Sequence, residues 1–481
     1  MSTSPPSLSV RFARRSSRGL LLGFSTPRVA ALGCAAGVAV AALFVAGPVG
    51  FVVTGALWLP LGAAAFVRLA GRPAIEWAGT AAHYGTRRLA GQHEFRARPT
   101  RPRPAGTLAL PGDAASMRLH VDEVTGAAMV HDPHRHTLAA VLSVSHPAFV
   151  LLDDAERTQR IARWGRVLAQ LAQSGTCAVL QVLEATIPDP AQGQVEWFEH
   201  HGTHDGGFAD VQYGTLLDQV RLESSTHRTT VTLALDLRAA ARAIKAAGRG
   251  IAGAAEVLRG DMASLVDALR QAGLRPGPWL AEAELAAVVR EAFDPAVHVD
   301  ARVDPAANLA HAGPVAIAEA WDHLRHDSAY SVVLWISEWP RIAVPPDFLH
   351  SLVFAPGVRR TLSLLARPLP TDQALRQIRR EKTEAVADST QKARVGQLAD
   401  LSDAQEYEDL LARERSVIAG HTDVEFTGFV TVTAPTRSAL EAAQATVTRA
   451  AAQAACEVRP IYGNQLQSFV LAALPVGRSA F

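Results

Sequence analysis

No charged side chain occurs from residue 29 to residue 67, and that gap constrains the fold more than any other feature of the chain. Gly47-Pro48 divides the run into two apolar stretches of about 19 residues each, and either is long enough to cross a hydrocarbon core of roughly 30 Å as a helix. Backbone amides in lipid must be paired within the segment, so the pattern predicts a double-pass transmembrane helical hairpin with a Gly-Pro turn. Arg11, Arg14, Arg15, Arg18 and Arg28 precede it without an acidic residue. Arg68, Arg72, Arg87, Arg88, Arg96, Arg98, Arg101 and Arg103 follow, against only Glu76 and Glu94. The positive-inside rule then places both termini and the soluble remainder on the cytoplasmic side of the inner (cytoplasmic) membrane. A cleaved signal peptide fits poorly, because no Ala-x-Ala site closes the first run and a second apolar run follows at once. A buried soluble hairpin would seldom be free of charge for so long. Residues 11–24 mix arginines with Leu20, Leu21, Leu22 and Phe24, as an interfacial segment on an anionic leaflet would. Gly33 and Gly37 form a GxxxG through which helices can pair, so a homo-oligomer is compatible with the sequence.

With 481 residues, the chain has room for more than one globular unit beyond the hairpin. Its 47 Lys+Arg and 46 Asp+Glu nearly cancel, so no global charge draws it to nucleic acid, and no direct nucleic-acid binding is expected. Cys34, Cys177 and Cys456 are far apart, with no CxxC pair for zinc or a redox disulfide, as expected of a reduced cytosolic body.

The pattern divides the chain into a membrane hairpin with basic flanks (1–97), a Pro/Arg linker (98–106), a cytosolic α+β domain (107–370), and a helical arm with a C-terminal strand-helix-strand unit (371–481). Alternating runs at 117–121, 127–131 and 137–145 predict a strand meander. Ile161, Trp164, Leu168 and Leu171 recur at helical spacing, and 176–186 returns to strand alternation. Residues 187–214, rich in Gly, Pro and His, read as a long surface loop. A strand at 229–237, a helix at 238–272, a breaker at 275–278, and strands at 330–337 and 359–366 follow. The charged stretch 371–420 reads as an exposed helical arm or a helix pair. Residues 424–433, 437–452 and 457–461 repeat strand, helix, strand. The expected class is α+β with ferredoxin-like units behind the hairpin.

No GxxxxGK[ST] phosphate loop occurs, so the chain cannot by itself be a P-loop ATPase. GxSxG and HExxH are also absent, and no GxGxxG follows a strand. His131, His134 and His136, and the group Glu196, Glu199, His200, His201, His204 and Asp205, offer metal-ligating types without a familiar spacing. They read better as solvated loop residues. Asp153-Asp154 reads as a helix cap, and Trp335 and Trp339 around Glu338 as core and rim residues. No catalytic, cofactor or metal site is expected, and hence no enzyme.

The segment 21–28, LLGFSTPR, resembles the start of the first helix in small two-helix membrane proteins of the PrgI type, with Pro27 and Arg28 departing from the usual wording. Residues 138–171, the charged stretch before Gly420, and 424–475 with Tyr462, Gln465 and Leu474-Pro475 resemble the N-terminal non-motor region of the VirB/TraE-type ATPase of type IV secretion and conjugation. Together they resemble actinobacterial membrane proteins that fuse the two parts. The resemblance implies a non-enzymatic scaffold of a type IV-like machine that docks a secretion ATPase in trans beside other membrane subunits. An EccE-like component of type VII secretion, which also has two N-terminal membrane helices and a cytosolic α/β domain, is the second reading. A membrane-tethered metal-dependent hydrolase using the His-rich loop is the third.

Overall fold

The computed structural model describes residues 24–69, 71–98, 100, 106–146, 149–188, 192–223, 225–296, 308–394 and 401–480. The basic segment with Arg11, Arg14, Arg15, Arg18 and Leu20 to Leu22, and most of the 98–106 linker, lie outside the described residues. The chain forms two compact units, one of Arg14–His93 and one of the remainder.

In the first unit, α1 (Thr26–Val53) is, among the described residues, the one helix both long and apolar enough to cross a membrane. Its helical geometry breaks at Gly47 (φ 62°, ψ −157°), ahead of Pro48, and α2 (Gly55–Ala64) continues beyond it. A φ this positive suits glycine, and Pro48 cannot donate to the preceding turn, so the pair interrupts the helix by backbone chemistry alone. The chain folds back on itself. Arg28 Nε donates to the Ala65 carbonyl at 3.1 Å, and a methyl added at Gly62 would lie 4.0 Å from Ala35 Cβ. Gly33 and Gly37 have no such neighbour within 4 Å, so the GxxxG does not pack this unit together. A short ribbon, β1 (Arg68–Leu69) and β2 (Arg72–Pro73), leads to α3 (Ala74–Leu89), where Glu76 accepts a hydrogen bond from Ser25 Oγ at 2.6 Å.

The second unit is built on a 13-stranded sheet whose element order occurs twice. After β3 (Glu94–Arg96), the first half holds β4 (Arg118–Val121), β5 (Ala128–Asp132), β6 (Thr137–Ser145), α4 (Asp154–Ser174), β7 (Cys177–Pro188), α5 (Gln192–His201), α6 (Phe208–Glu223), β8 (Ser225–Asp236), α7 (Ala241–Ala246), α8 (Gly250–Gln271), β9 (Arg275–Trp279) and α9 (Glu282–Phe293). A single turn, α10 (Leu309–Ala312), intervenes. The second half runs β10 (Ala316–Glu319), β11 (Leu324–His326), β12 (Ala329–Glu338), α11 (His350–Val353), β13 (Arg359–Leu369), α12 (Thr371–Arg394), α13 (Leu401–Ile418), β14 (Asp423–Ala434), α14 (Arg437–Gln453), β15 (Glu457–Pro460) and α15 (Gln465–Ala473).

In the first half β6 lies between β8 on one side and β5 and β9 on the other, with β7 beyond β8. In the second, β12 lies between β14 and the pair β11 and β15, with β13 beyond β14. The halves join through antiparallel β7 and β13, Arg360 opposite Thr186 and Ala366 opposite Leu180. An approximate twofold axis normal to the sheet therefore passes between these strands. Each half also carries a long hairpin ended by a helix pair. Pairing of β7 with β8 persists to Pro188 opposite Ser225, where α5 and α6 are inserted, and pairing of β13 with β14 persists to Leu369 opposite Asp423, where α12 and α13 are inserted.

Side-chain alternation gives the sheet two apolar faces. Ala139, Val141, Val179, Val333, Leu365 and Phe429 face α9 and α15 in one core. The opposite residues, such as Leu138, Leu142, Leu180 and Leu233, pack under α4 and α8, and Val332, Leu334, Val430 and Val432 pack with α14.

Two expectations are corrected. The 187–214 stretch is not a loop over the surface: most of it is α5 and the start of α6, because the strand register closes on either side and leaves an insertion that pairs its own backbone. The breaker at 275–278 is part of strand β9, which pairs with β6 across an irregular register. Prolines are tolerated at such an edge, where their missing N–H removes no ladder bond. Gly277 lets the strand approach, since a Cβ there would sit 3.2 Å from the Ser143 carbonyl oxygen.

Candidate functional site

A connected set of charged groups surrounds α9. Apolar Leu285, Val289 and Phe293 turn one side of the helix into the core, which leaves Arg290, Glu291 and Asp294 at the boundary with neighbouring strands. Glu291, 5 % exposed, accepts from Arg228 of β8 at 2.7 Å and lies 3.4 Å from Arg359 of β13. It thereby ties the two halves together across their junction. Arg290 reaches Asp294 at 2.6 Å, Asp327 at 2.9 Å and the Gly313 carbonyl at 3.0 Å. Asp327 in turn accepts the amides of Val315 and Ala316, both at 2.9 Å. Burial pushes the Asp294 carboxyl up, but hydrogen bonds from Ser328 and Arg290 outweigh it and hold the group below the usual carboxylate range. A carboxylate held ionised and neutralised by a guanidinium is a poor general base. The geometry is that of a brace.

His326 lies beside this brace, fully buried. Its Nδ1 is 2.6 Å from the Phe293 carbonyl, which can only accept, so the proton sits on Nδ1. Nε2 then accepts from Ser331 Oγ at 2.7 Å, and Ser331 accepts from Thr433 Oγ1 at 2.7 Å. Burial pulls the imidazole down to about 4 from an ordinary 6.5. A depressed histidine gives stability that is complete above the unfolded value near 6.5 and is lost as pH falls toward 4, because the unfolded chain then binds the extra proton. The loss should reach about 3 kcal/mol. Urea unfolding of the full chain in detergent should show the advantage of wild type over His326→Gln shrinking by that amount between pH 6.5 and 4. An unchanged difference would mean that this histidine does not titrate as described.

These groups lie within, or directly against, a recognisable segment. Residues 224–336 match the EccE family. That family is described as a translocon component of the type VII ESX secretion system. The match spans β8 to β12 and includes Arg228, Arg290, Glu291, Asp294, His326 and Asp327. It covers about a quarter of the chain. A comparison with curated protein sequences found no match.

The EccE match overturns the PrgI-type and VirB/TraE-type resemblance, and with it the type IV-like scaffold for secretion or conjugation; the EccE-like reading is the one supported. The residues that suggested the type IV ATPase have packing roles. Gln465, fully buried, accepts the Val333 amide at 2.9 Å and donates to the Ile461 carbonyl. Tyr462 stacks on Trp321 with ring centroids 6.1 Å apart. The Leu474 carbonyl accepts from Gln181 at 3.1 Å.

The histidines singled out in the sequence do not converge. His131 lies half-buried in β5, where burial lowers its imidazole, while His134 and His136 occupy the turn to β6. His200 and His201 reach back along α5 to the carbonyls of Glu196 (2.7 Å) and Trp197 (2.9 Å), and His204 reaches that of Glu199 (3.2 Å). Among the described residues, no three His, Cys, Asp or Glu side chains are grouped to hold a metal. Asp153 caps α4, accepting the Glu156 amide at 2.7 Å. Trp335 Nε1 donates to Thr427 Oγ1 at 3.1 Å, and Trp339 packs on Phe426 with ring centroids 5.2 Å apart. Glu338 pairs with Arg341.

Proposed function

We propose that the chain is a non-catalytic membrane component of a type VII secretion translocon. The EccE match over 224–336 is the observation that carries this reading. We read the segment from α1 through α2 as crossing the bilayer twice. At about 1.5 Å per residue, the apolar residues before Gly47 extend roughly 30 Å as a helix, and Arg28 meeting Ala65 supports a return to the same side. The basic flanks then leave the body in the cytoplasm. We read each half of that body as a ferredoxin-like unit, β9-β6-β8-β7 and β15-β12-β14-β13, with its paired carboxylates and arginines acting as braces and not as catalysts.

Such a component works by holding neighbours. The α5 and α6 pair supports this role, because Trp197, Phe208, Val211 and Leu216 are all more than half exposed, an apolar density that suits contact with another subunit. P-loop nucleotide hydrolysis would come from a separate chain, since this sequence carries no GxxxxGK[ST] motif. Affinity capture of the tagged full chain from membranes in mild detergent should recover one large assembly with other membrane subunits. Recovery as an isolated monomer, under conditions that preserve the rest of the translocon, would overturn the proposal. Replacing His200, His201 and His204 together with alanine should leave secretion unchanged, and a loss of secretion with the fold intact would revive an enzymatic reading.

A further inference from the structure

Many arginines of the body are ion-paired, and α4 carries three that are not. Its four arginines, Arg157, Arg160, Arg163 and Arg166, are spaced by three residues. Arg157 lies 3.7 Å from Asp154. Arg160, Arg163 and Arg166 have no hydrogen-bond or ion-pair partner among the described residues. Arg160 and Arg163 are half-buried and Arg166 is exposed. Gln159, Arg163, Arg166 and Gln170, at i, i+4, i+7 and i+11, share one face of the helix. They form one wall of an open groove of about 420 Å³ whose other wall is the last turn of α8, Ala268, Gln271 and Ala272. Arg160 guards the same end, since a methyl added at Gly273 would meet its guanidinium at 3.8 Å and that of Arg163 at 3.9 Å.

No carboxylate among the described residues forms an ion pair with these three guanidiniums. Asp267 is paired with Arg270 at 3.4 Å. Asp261 lines the adjoining small cavity beside Gln170 and Ser174, where it accepts a hydrogen bond from Thr176 and burial pushes its carboxyl up. The groove thus combines the unpaired guanidiniums of Arg163 and Arg166, with Arg160 at its end, and carboxamide side chains, the donor set that recognises phosphate oxygens. The second half of the sheet has no equivalent: the single-turn α11 stands where the first half has the 21-residue α4.

We infer that the α4–α8 groove binds the phosphate headgroups of anionic phospholipids, giving the body a second, reversible contact with the bilayer. The charge complementarity argues for it. So does the tether, because a body joined to an apolar helix in the same chain meets bilayer phosphate at high effective concentration. This inference rests on the membrane-anchored reading of α1 and not on the type VII reading.

The test uses the full chain in nanodiscs of phosphatidylcholine alone or with phosphatidylglycerol, read by hydrogen exchange at the amides of α4 and the last turn of α8. Phosphatidylglycerol should protect both segments, and 1 M salt should remove the protection. Replacing Arg160, Arg163 and Arg166 together with glutamine should shift the docking equilibrium about 100-fold toward the free state, with an unchanged unfolding midpoint. The triple lysine variant should retain most of the protection, which a purely structural role for the guanidiniums would not allow. Equal protection in both nanodiscs would overturn the inference. So would protection by polyglutamate or inorganic phosphate but not by phosphatidylglycerol, which would assign the groove to an acidic protein or to a free anion.

Discussion

Replacing Arg478 with alanine should cost the body about 3–5 kcal/mol, the penalty for stranding a buried charge, measured as a lowered urea midpoint of the full chain in detergent. Arg478 is 3 % exposed and Asp132 is 1 % exposed. Arg478 Nε donates to Asp132 Oδ2 at 2.9 Å, and its guanidinium lies 3.0 Å from Asp113. Asp132 Oδ1 is committed to the amides of His134 and Arg135 at 3.0 and 3.2 Å. Without the guanidinium, a buried carboxylate keeps two amide donors and loses its counter-charge. Asp113 is far more exposed, so Asp113→Asn should cost less than about 1 kcal/mol. If Arg478→Ala cost no more than Asp113→Asn, the buried pair would not be what holds the tail.

The sequence revealed most of the sheet because strands buried on one or both faces write alternation or β-branched runs into the chain. The meander of β4 to β6, and β7, β8, β12, β13 and β14, all lie close to where such runs occur. The missed strands are those where another requirement dominates. β9 contains two prolines and a glycine, so it reads as a breaker, and its strand identity comes from pairing with β6 alone. β10 and β11, of four and three residues, are too short to show a period. The duplication was hidden for a similar reason. A 21-residue α4 corresponds to a four-residue α11, and the two inserted helix pairs differ in length and chemistry, so equivalent positions drift out of any constant spacing.

The candidate site was less legible. Glu291, Arg290 and His326 sit in segments with no motif, and their significance lies in partners distant in sequence, such as Arg228 for Glu291, Asp327 for Arg290 and Phe293 for His326, that no local pattern links. The type IV resemblance failed on the same ground. It rested on an order of strands and helices that many α+β chains share, and on Tyr462, Gln465 and Leu474-Pro475, which packing alone explains. The N-terminal apolar run is more legible because its constraint is local: a helix that crosses lipid must satisfy its own backbone over an uncharged stretch, and that stretch holds the one helix, among the described residues, long and apolar enough to cross a membrane.

One signal within reach was Gln181, a lone carboxamide in the apolar run AVLQVL of β7. It is fully buried, and its Nε2 lies 3.0 Å from Ser363 Oγ, 3.2 Å from the Leu471 carbonyl and 3.1 Å from that of Leu474, while Oε1 accepts the Gly477 amide at 3.1 Å. One side chain beside the junction of the two halves therefore fastens the C-terminal tail across the sheet. Gln181→Leu keeps much of the volume but orphans several buried polar groups, and at about 1–3 kcal/mol for each, the expected loss is roughly 3–6 kcal/mol. Gly477→Ala attacks the same strap from the other side. At φ +63° its new methyl would sit 2.9 Å from Ala139 Cβ and 3.1 Å from Ala234 Cβ, and neither can move without the strand that carries it. Because Gln181 and Arg478 hold one segment, their losses should not add. The double variant Gln181→Leu with Arg478→Ala should be less destabilised than the sum by about 1–3 kcal/mol, since a tail already released by one substitution has little left for the second to break. Strict additivity would show instead that the two contacts stabilise separate parts of the body.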